Sequence, residues 1–378
     1  MRSNKQHSTQ YQAGFSLVEI LVGLVIGLLA TLVILQVFTV FEGQKRTTSG
    51  AADAQTNGSI ALFMIGKDLQ MAGFAMVAGI HSPFNCDPAT INYGATGITD
   101  LSPVTITDGG AAAGASDSIT IRYGDSPSGG IPSLLIAPTG GLGANDVSID
   151  NNLGCKVNDI ALIVNGTTCN LTSVTGPTDI ATPAVLSTPP KTTTVTLQSV
   201  AGATPNNYLA CLGGWNVTTF QVNPNYVASP TDTEAYMDKN GTPAVADIVN
   251  IQAQYGISAS YDSNLVVQWI DAVAPWDQAT LQLPANIANR NRIKAVRVAV
   301  VARSGLLEKE DVSTVCSSLT ADIPTGLCAW SATSASPSIV SPAPAIDLSN
   351  DPNWMRYRYR VYQTIIPLRN IVWSKNTL

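Results

Sequence analysis

Residues 14–41 read GFSLVEILVGLVIGLLATLVILQVFTVF, and this stretch decides the architecture of the chain. From Phe15 to Phe41 the run is 27 residues long and carries one formal charge, Glu19. As a helix it extends roughly 40 Å, more than the ~30 Å hydrocarbon core of a bilayer. The preceding residues 1–14, MRSNKQHSTQYQAG, are polar, hold Arg2 and Lys5, and contain no acid. Basic flanks stay on the cytoplasmic side of a membrane, so the chain after the run is expected to face outward. A secretory signal has a shorter apolar region, with its small-residue cleavage site after it. Here the small residue, Gly14, stands before the run. Cleavage there would remove the basic leader and leave the apolar helix on the mature chain.

Glu19 is the exception within the run. A carboxylate at membrane depth costs at least ~2.5 kcal/mol on insertion scales, which makes Glu19 a functional candidate. The string Gly14-Phe15-Ser16-Leu17-Val18-Glu19, followed by an unbroken apolar helix, resembles the type IV prepilin signature. That resemblance implies that Gly14 is the last leader residue, cut by a prepilin peptidase, and that Phe15 becomes an N-methylated N-terminus. It also implies that Glu19 pairs with the N-terminal amine of a neighbouring subunit. Two buried charges cost less together than apart. Gly23-x-x-x-Gly27 is a small-xxx-small pattern that permits close helix approach in lipid, with an ordinary membrane-helix role as the equal alternative. The sequence departs from the major pilins at Gln36, where those proteins carry a proline.

After Glu42 the pattern becomes amphipathic: Leu62, Ile65, Leu69 and Ala72 recur on one helical face. One helix is expected from Phe15 to Gly73, its first half (15–41) spanning membrane or filament core and its second half (42–73) lying under a head. Residues 74–378 are rich in strand-like runs separated by Gly, Pro, Asn and Asp. Strands are predicted over 118–123, 159–164, 193–200, 248–255, 265–270, 293–302 and 357–366, with long loops over 82–115 and 172–191. The almost continuously apolar 293–302 is expected to be a central strand. Residues 331–344, SATSASPSIVSPAP, form a low-complexity segment. The fold class is α+β: a helical spine and one β-rich head.

Five strings, KDLQMAGF (67–74), DSITIRY (117–123), VNIQAQYG (249–256), VRVAVVAR (296–303) and VYQTIIPLRN (361–370), resemble the PilW-type minor pilins. The resemblance implies a protein without catalysis that primes type IV pilus assembly with other minor pilins and sits at or near the tip. Its partners would be those minor pilins, the major pilin, the prepilin peptidase/methyltransferase, inner-membrane lipid and a tip adhesin. It would lie in the inner membrane with its head in the periplasm, then in the pilus. Two other readings stay open: a J-type pseudopilin of a type II secretion system, and a membrane-anchored periplasmic enzyme or binding protein.

Composition narrows the chemistry further. Charged residues are 12% of the chain, against ~25% in typical soluble domains. Loss of Arg2 and Lys5 with the leader takes the net charge from −6 to about −8, against a general nucleic-acid role. Only His7 and His81 are present, and no CxxC pair occurs, so no metal site and no cofactor are expected. The six cysteines suggest up to three disulfides in an exported head. Short local loops favour Cys155–Cys169 and Cys316–Cys328, leaving Cys86 with Cys211. Arg356, Arg358 and Arg360 alternate with Tyr357, Tyr359 and Val361. This reads as an amphipathic strand with its arginine heads in water or paired with acids, in preference to a DNA-binding stripe. The acidic turns at 238–241 and 347–351 lack an EF-hand ligand spacing, and turn chemistry explains them better than calcium.

Overall fold

The computed structural model describes residues 14, 16–76, 86–87, 90–137, 144–151, 155–166, 168–176, 193–231, 234–317, 324–330 and 346–372. His7, His81, Phe15 and the low-complexity segment 331–344 lie outside them. Helix α1 is Leu17–Met71. The chain divides into a first unit ending at Ala52 and a second beginning at Asp53.

In the first unit the large apolar side chains from Leu17 to Phe41 are all exposed, because the helix is apolar around its whole circumference. The helix is long and apolar enough to cross a membrane, by length and composition. In the second unit Ala54, Ala61, Ile65, Leu69 and Ala72 are buried, a spacing that follows one helical face. Leu62 packs at the edge of that core.

Beyond the helix come β1 (Val104–Thr107), β2 (Ser118–Gly124), β3 (Pro132–Ile136), β4 (Asp146–Ile149), β5 (Ile160–Asn165), β6 (Thr168–Ser173), β7 (Thr193–Thr196), β8 (Tyr208–Gly213) and β9 (Trp215–Val222). They are followed by α2 (Pro224–Ala228), β10 (Tyr236–Lys239), β11 (Thr242–Ala246), β12 (Ile248–Ser258), β13 (Val266–Ile270), α3 (Gln278–Leu281), α4 (Ile287–Arg290), β14 (Ile293–Arg303), β15 (Tyr359–Pro367) and α5 (Arg369–Val372). Each predicted strand is present. The predicted loop over 82–115 contains β1, which is only four residues long. Strand β15 starts at Tyr359 because Trp354–Arg356 forms a 3-10 turn.

The strands build three antiparallel sheets. The first has the order β1-β2-β9-β10-β11, the second β13-β12-β14-β15 and the third β6-β5-β8-β3-β4-β7. Strand β14 is central in the second sheet and buried along all but its last residue, as its almost continuously apolar sequence favours, although Lys294 and Arg297 are buried within it. The helix face, the first sheet and the second sheet share one core that includes Ile65, Leu69, Ile119, Phe220, Ile251 and Val298. Two buried polar contacts join those sheets. Ile106 N donates to Tyr255 Oη at 2.6 Å, while the Asp117 carboxylate accepts from Gly109 N at 2.9 Å and Ala253 N at 2.7 Å.

The third sheet buries both faces. Ala161, Ile163, Leu209 and Cys211 face one cluster, and Leu162, Val164, Ala210 and Leu212 face the other. This corrects the local cysteine pairing. The disulfides are Cys86–Cys169, Cys155–Cys211 and Cys316–Cys328. Cys169 projects from the face that carries Cys86, whereas Cys155 lies with Cys211 on the opposite face. A Cys155–Cys169 bond would have to pass through the sheet. Cys316–Cys328 closes the short loop expected from the sequence. The chain crosses from the third sheet to the first at Gly213, whose φ of 83° and closeness to Ser126 N leave no room for a Cβ.

Candidate functional site

The N-terminal end of α1 is set by Ser16. Its carbonyl accepts from Glu19 N at 3.0 Å and Ile20 N at 3.2 Å, and its hydroxyl accepts from Val18 N at 3.3 Å. Ser16 is therefore the N-cap, and Glu19 stands three residues on, in the spacing of a capping box. The sequence reading took Glu19 as an acid at membrane depth and, by the resemblance, as the partner of a neighbouring N-terminal amine; the Ser-x-x-Glu spacing was the signal for its place in the first turn. There a carboxylate also meets the positive end of the helix dipole. Gly14 precedes this turn and is exposed.

Along the same helix, Gly23 and Gly27 are one turn apart with open space beside the position of each absent Cβ. Thr31 and Thr39 donate their hydroxyls to Leu28 O and Gln36 O, both at 2.8 Å, so neither hydroxyl needs a partner from outside the helix. The resulting surface is apolar on every side, with Glu19 near its start.

The other end of α1 gathers the family-like strings. Gly73, with φ of 73°, donates its N–H to Arg122 O at 3.0 Å, and Gly124 N donates to Phe74 O at 2.9 Å. Asp68 pairs with Lys239 at 2.7 Å. Asn370 Nδ2 donates to Ala72 O at 2.9 Å, closing the helix end with a residue from the last string.

The arginine stripe is divided. Arg356 belongs to the 3-10 turn and donates Nε to Glu308 O at 2.9 Å, while Arg358 pairs with the Glu308 carboxylate at 2.8 Å. Arg360 alone of the three lies within β15. The acidic turns are built as turns. Asp238 accepts from Gln221 Nε2 and Gly241 N, and Asn240-Gly241, with φ of 56° and 74°, form a two-residue hairpin turn. Asp347 accepts from Ser349 N, and Asp351 from Asn353 N. Among the described residues no group of three His, Cys, Asp or Glu side chains could hold a metal ion.

Two family models match the chain. The prokaryotic N-terminal methylation motif covers residues 9–35, and type IV pilus-assembly protein W covers residues 220–370. These matches support a type IV pilin-like protein of the PilW family. No curated protein and no solved structure matches the chain. The assembly-protein match runs from the end of β9 to α5 and so contains the whole second sheet. The strings VNIQAQYG, VRVAVVAR and VYQTIIPLRN lie on its β12, β14 and β15. The third sheet, built from residues 132–213, lies outside both matches. The α+β arrangement of apolar helix and sheet-rich head is pilin-like. The matches support a type IV pilus-related minor pilin, the methylation motif and apolar helix fit a membrane-anchored pilin, and the motif implies interaction with the prepilin-processing machinery.

Proposed function

We propose that this minor pilin primes type IV pilus assembly with other minor pilins and remains at or near the pilus tip. In this reading the leader ends at Gly14, Phe15 is the methylated N-terminus, and Glu19 receives the N-terminal amine of a neighbouring subunit. Gly23 and Gly27 let adjacent helices approach closely. The head, from residue 74 onward, selects its neighbours through its surface and holds a tip adhesin. Function is association, and the free energy for it comes from apolar helix packing and one charge pair.

The observation that carries the reading is the pairing of an acid near the start of α1 with a helix whose apolar circumference is wholly uncovered in the single chain. Such a surface needs lipid or other helices around it. The test is Glu19→Ala in cells. The variant is expected to be processed and membrane-inserted but to lose co-purification with the other minor pilins and to reduce piliation. Normal piliation with unchanged co-purification would refute the assembly role. Co-purification with secretion pseudopilins in place of pilus subunits would move the protein to the secretion apparatus.

A further inference from the structure

The apolar run of α1 carries one polar side chain that its own helix does not satisfy. Besides Glu19, the polar residues between Leu17 and Phe41 are Thr31, Gln36 and Thr39. Both threonines donate back to the helix, to Leu28 O and Gln36 O. The Gln36 carboxamide is exposed, and among the described residues none hydrogen-bonds it. The run from Phe15 to Phe41 is centred on Leu28. Gln36 therefore lies about 12 Å from its middle, inside the ~15 Å half-thickness of the hydrocarbon core. Water does not serve a carboxamide there, and a neighbouring helix that supplies a partner removes the cost.

Helical geometry places Gln36 on a definite side. Val22, Val25, Leu29, Leu32, Gln36 and Thr39 follow in alternating steps of three and four, the spacing of a two-helix seam. The four apolar members are exposed. An apolar helix can offer such a seam on any side, so this spacing alone selects nothing. Gln36 selects this side, because a lone polar position in a seam fixes which faces meet. Gln36 stands about 100° around the helix from Glu19, and Gly23 and Gly27 lie on roughly the opposite side from it.

The chemistry of the group and the orientation of the chain identify the partner. A carboxamide donates and accepts at once, so another carboxamide satisfies it. The leader, with Arg2 and Lys5, directs every copy of the chain into the membrane the same way round. Two parallel copies thus bring their Gln36 side chains to one depth, with apolar residues meeting along the rest of the seam. We propose that α1 pairs with a second copy of this chain in the membrane through the Gln36 seam. The proposal rests on the reading of α1 as a membrane helix and not on the pilus-priming role.

Cysteine crosslinking of the full-length chain, in the inner membrane of a bacterium without pilus genes, tests it. Leu32→Cys and Thr39→Cys lie on the seam, while Ala30→Cys and Ile34→Cys lie roughly opposite. No native cysteine is free among the described residues, and the chain without an added cysteine sets the background. Mild oxidation is expected to join the seam variants into a dimer of twice the chain mass and to leave the other two monomeric. Adding Gln36→Leu should lower the Leu32→Cys dimer yield about threefold or more. Carbonate extraction reports whether each variant stays in the membrane. Dimer at all four positions alike, dimer at none, or a seam dimer that Gln36→Leu leaves unchanged refutes the contact while the membrane helix stands. Release of the chain by carbonate overturns the membrane helix and the contact together.

Discussion

Asn370 caps the C-terminal end of α1 from 298 residues away in sequence, its Nδ2 donating to Ala72 O at 2.9 Å and reaching Met71 O at 3.4 Å. The last carbonyls of a helix lack partners within it, so this side chain supplies what the helix cannot. Asn370→Ala should destabilise the head by about 1 kcal/mol and lower its thermal midpoint in the full-length protein. An unchanged midpoint would mean that water serves the helix end equally well.

Gly58 lies directly against the ring of Tyr362 on β15, with the Ala302 Cβ 3.2 Å from where a Gly58 Cβ would stand. Gly58→Ala gains up to ~1 kcal/mol of helix propensity but overpacks this contact, typically at ~1–3 kcal/mol. A net loss of about 1 kcal/mol is expected. In a Tyr362→Ala background the same substitution should become neutral or stabilising. Equal effects in both backgrounds would show that the close approach does not matter.

Asp117 gives the head a pH dependence. Burial pushes its carboxyl up to about 7, against the pull of the Gly109 and Ala253 N–H groups; Asp108 and Asp271 add to the rise. Between the ordinary 3.8 and about 7, the folded state holds the proton and the unfolded chain does not. The contribution is complete below the lower value and is lost as pH rises through the upper one. Denaturation midpoints at pH 5 and pH 8 should therefore fall further in wild type than in Asp117→Asn, by no more than about 4 kcal/mol. Equal pH slopes would place the titration elsewhere.

Peptide mapping without reduction should recover Cys86–Cys169, Cys155–Cys211 and Cys316–Cys328. A Cys155–Cys169 peptide would contradict the two-faced third sheet. Replacing both Cys86 and Cys169 by Ser should cost about 2–4 kcal/mol.

These contacts also mark how far the sequence could be read. Strand β14 was legible because its buried stretch is almost wholly apolar, Lys294 and Arg297 being the exceptions. Strand β6, with the sequence TCNLTS, is short and rich in Thr, so neither alternation nor an apolar run announces it. The cysteine partners depend on which sheet face each residue occupies, a parity set by register and invisible in loop length. The arginine alternation misled because a 3-10 turn interrupts it before Tyr359. A polar cleft beside Arg303 was hidden for another reason: Glu234, Arg303 and Asn353 come from three separate segments that only folding brings together. By contrast, Gly14, Ser16 and Glu19 are local, and adjacency alone makes their pattern readable.

Mass spectrometry of the mature protein isolated from its own cells tests the central claim most directly. The N-terminal peptide is expected to begin at Phe15 with one added methyl group and to lack residues 1–14. A chain that retains its leader, or one cut after the apolar run, would contradict the assignment of α1 as a processed pilin helix.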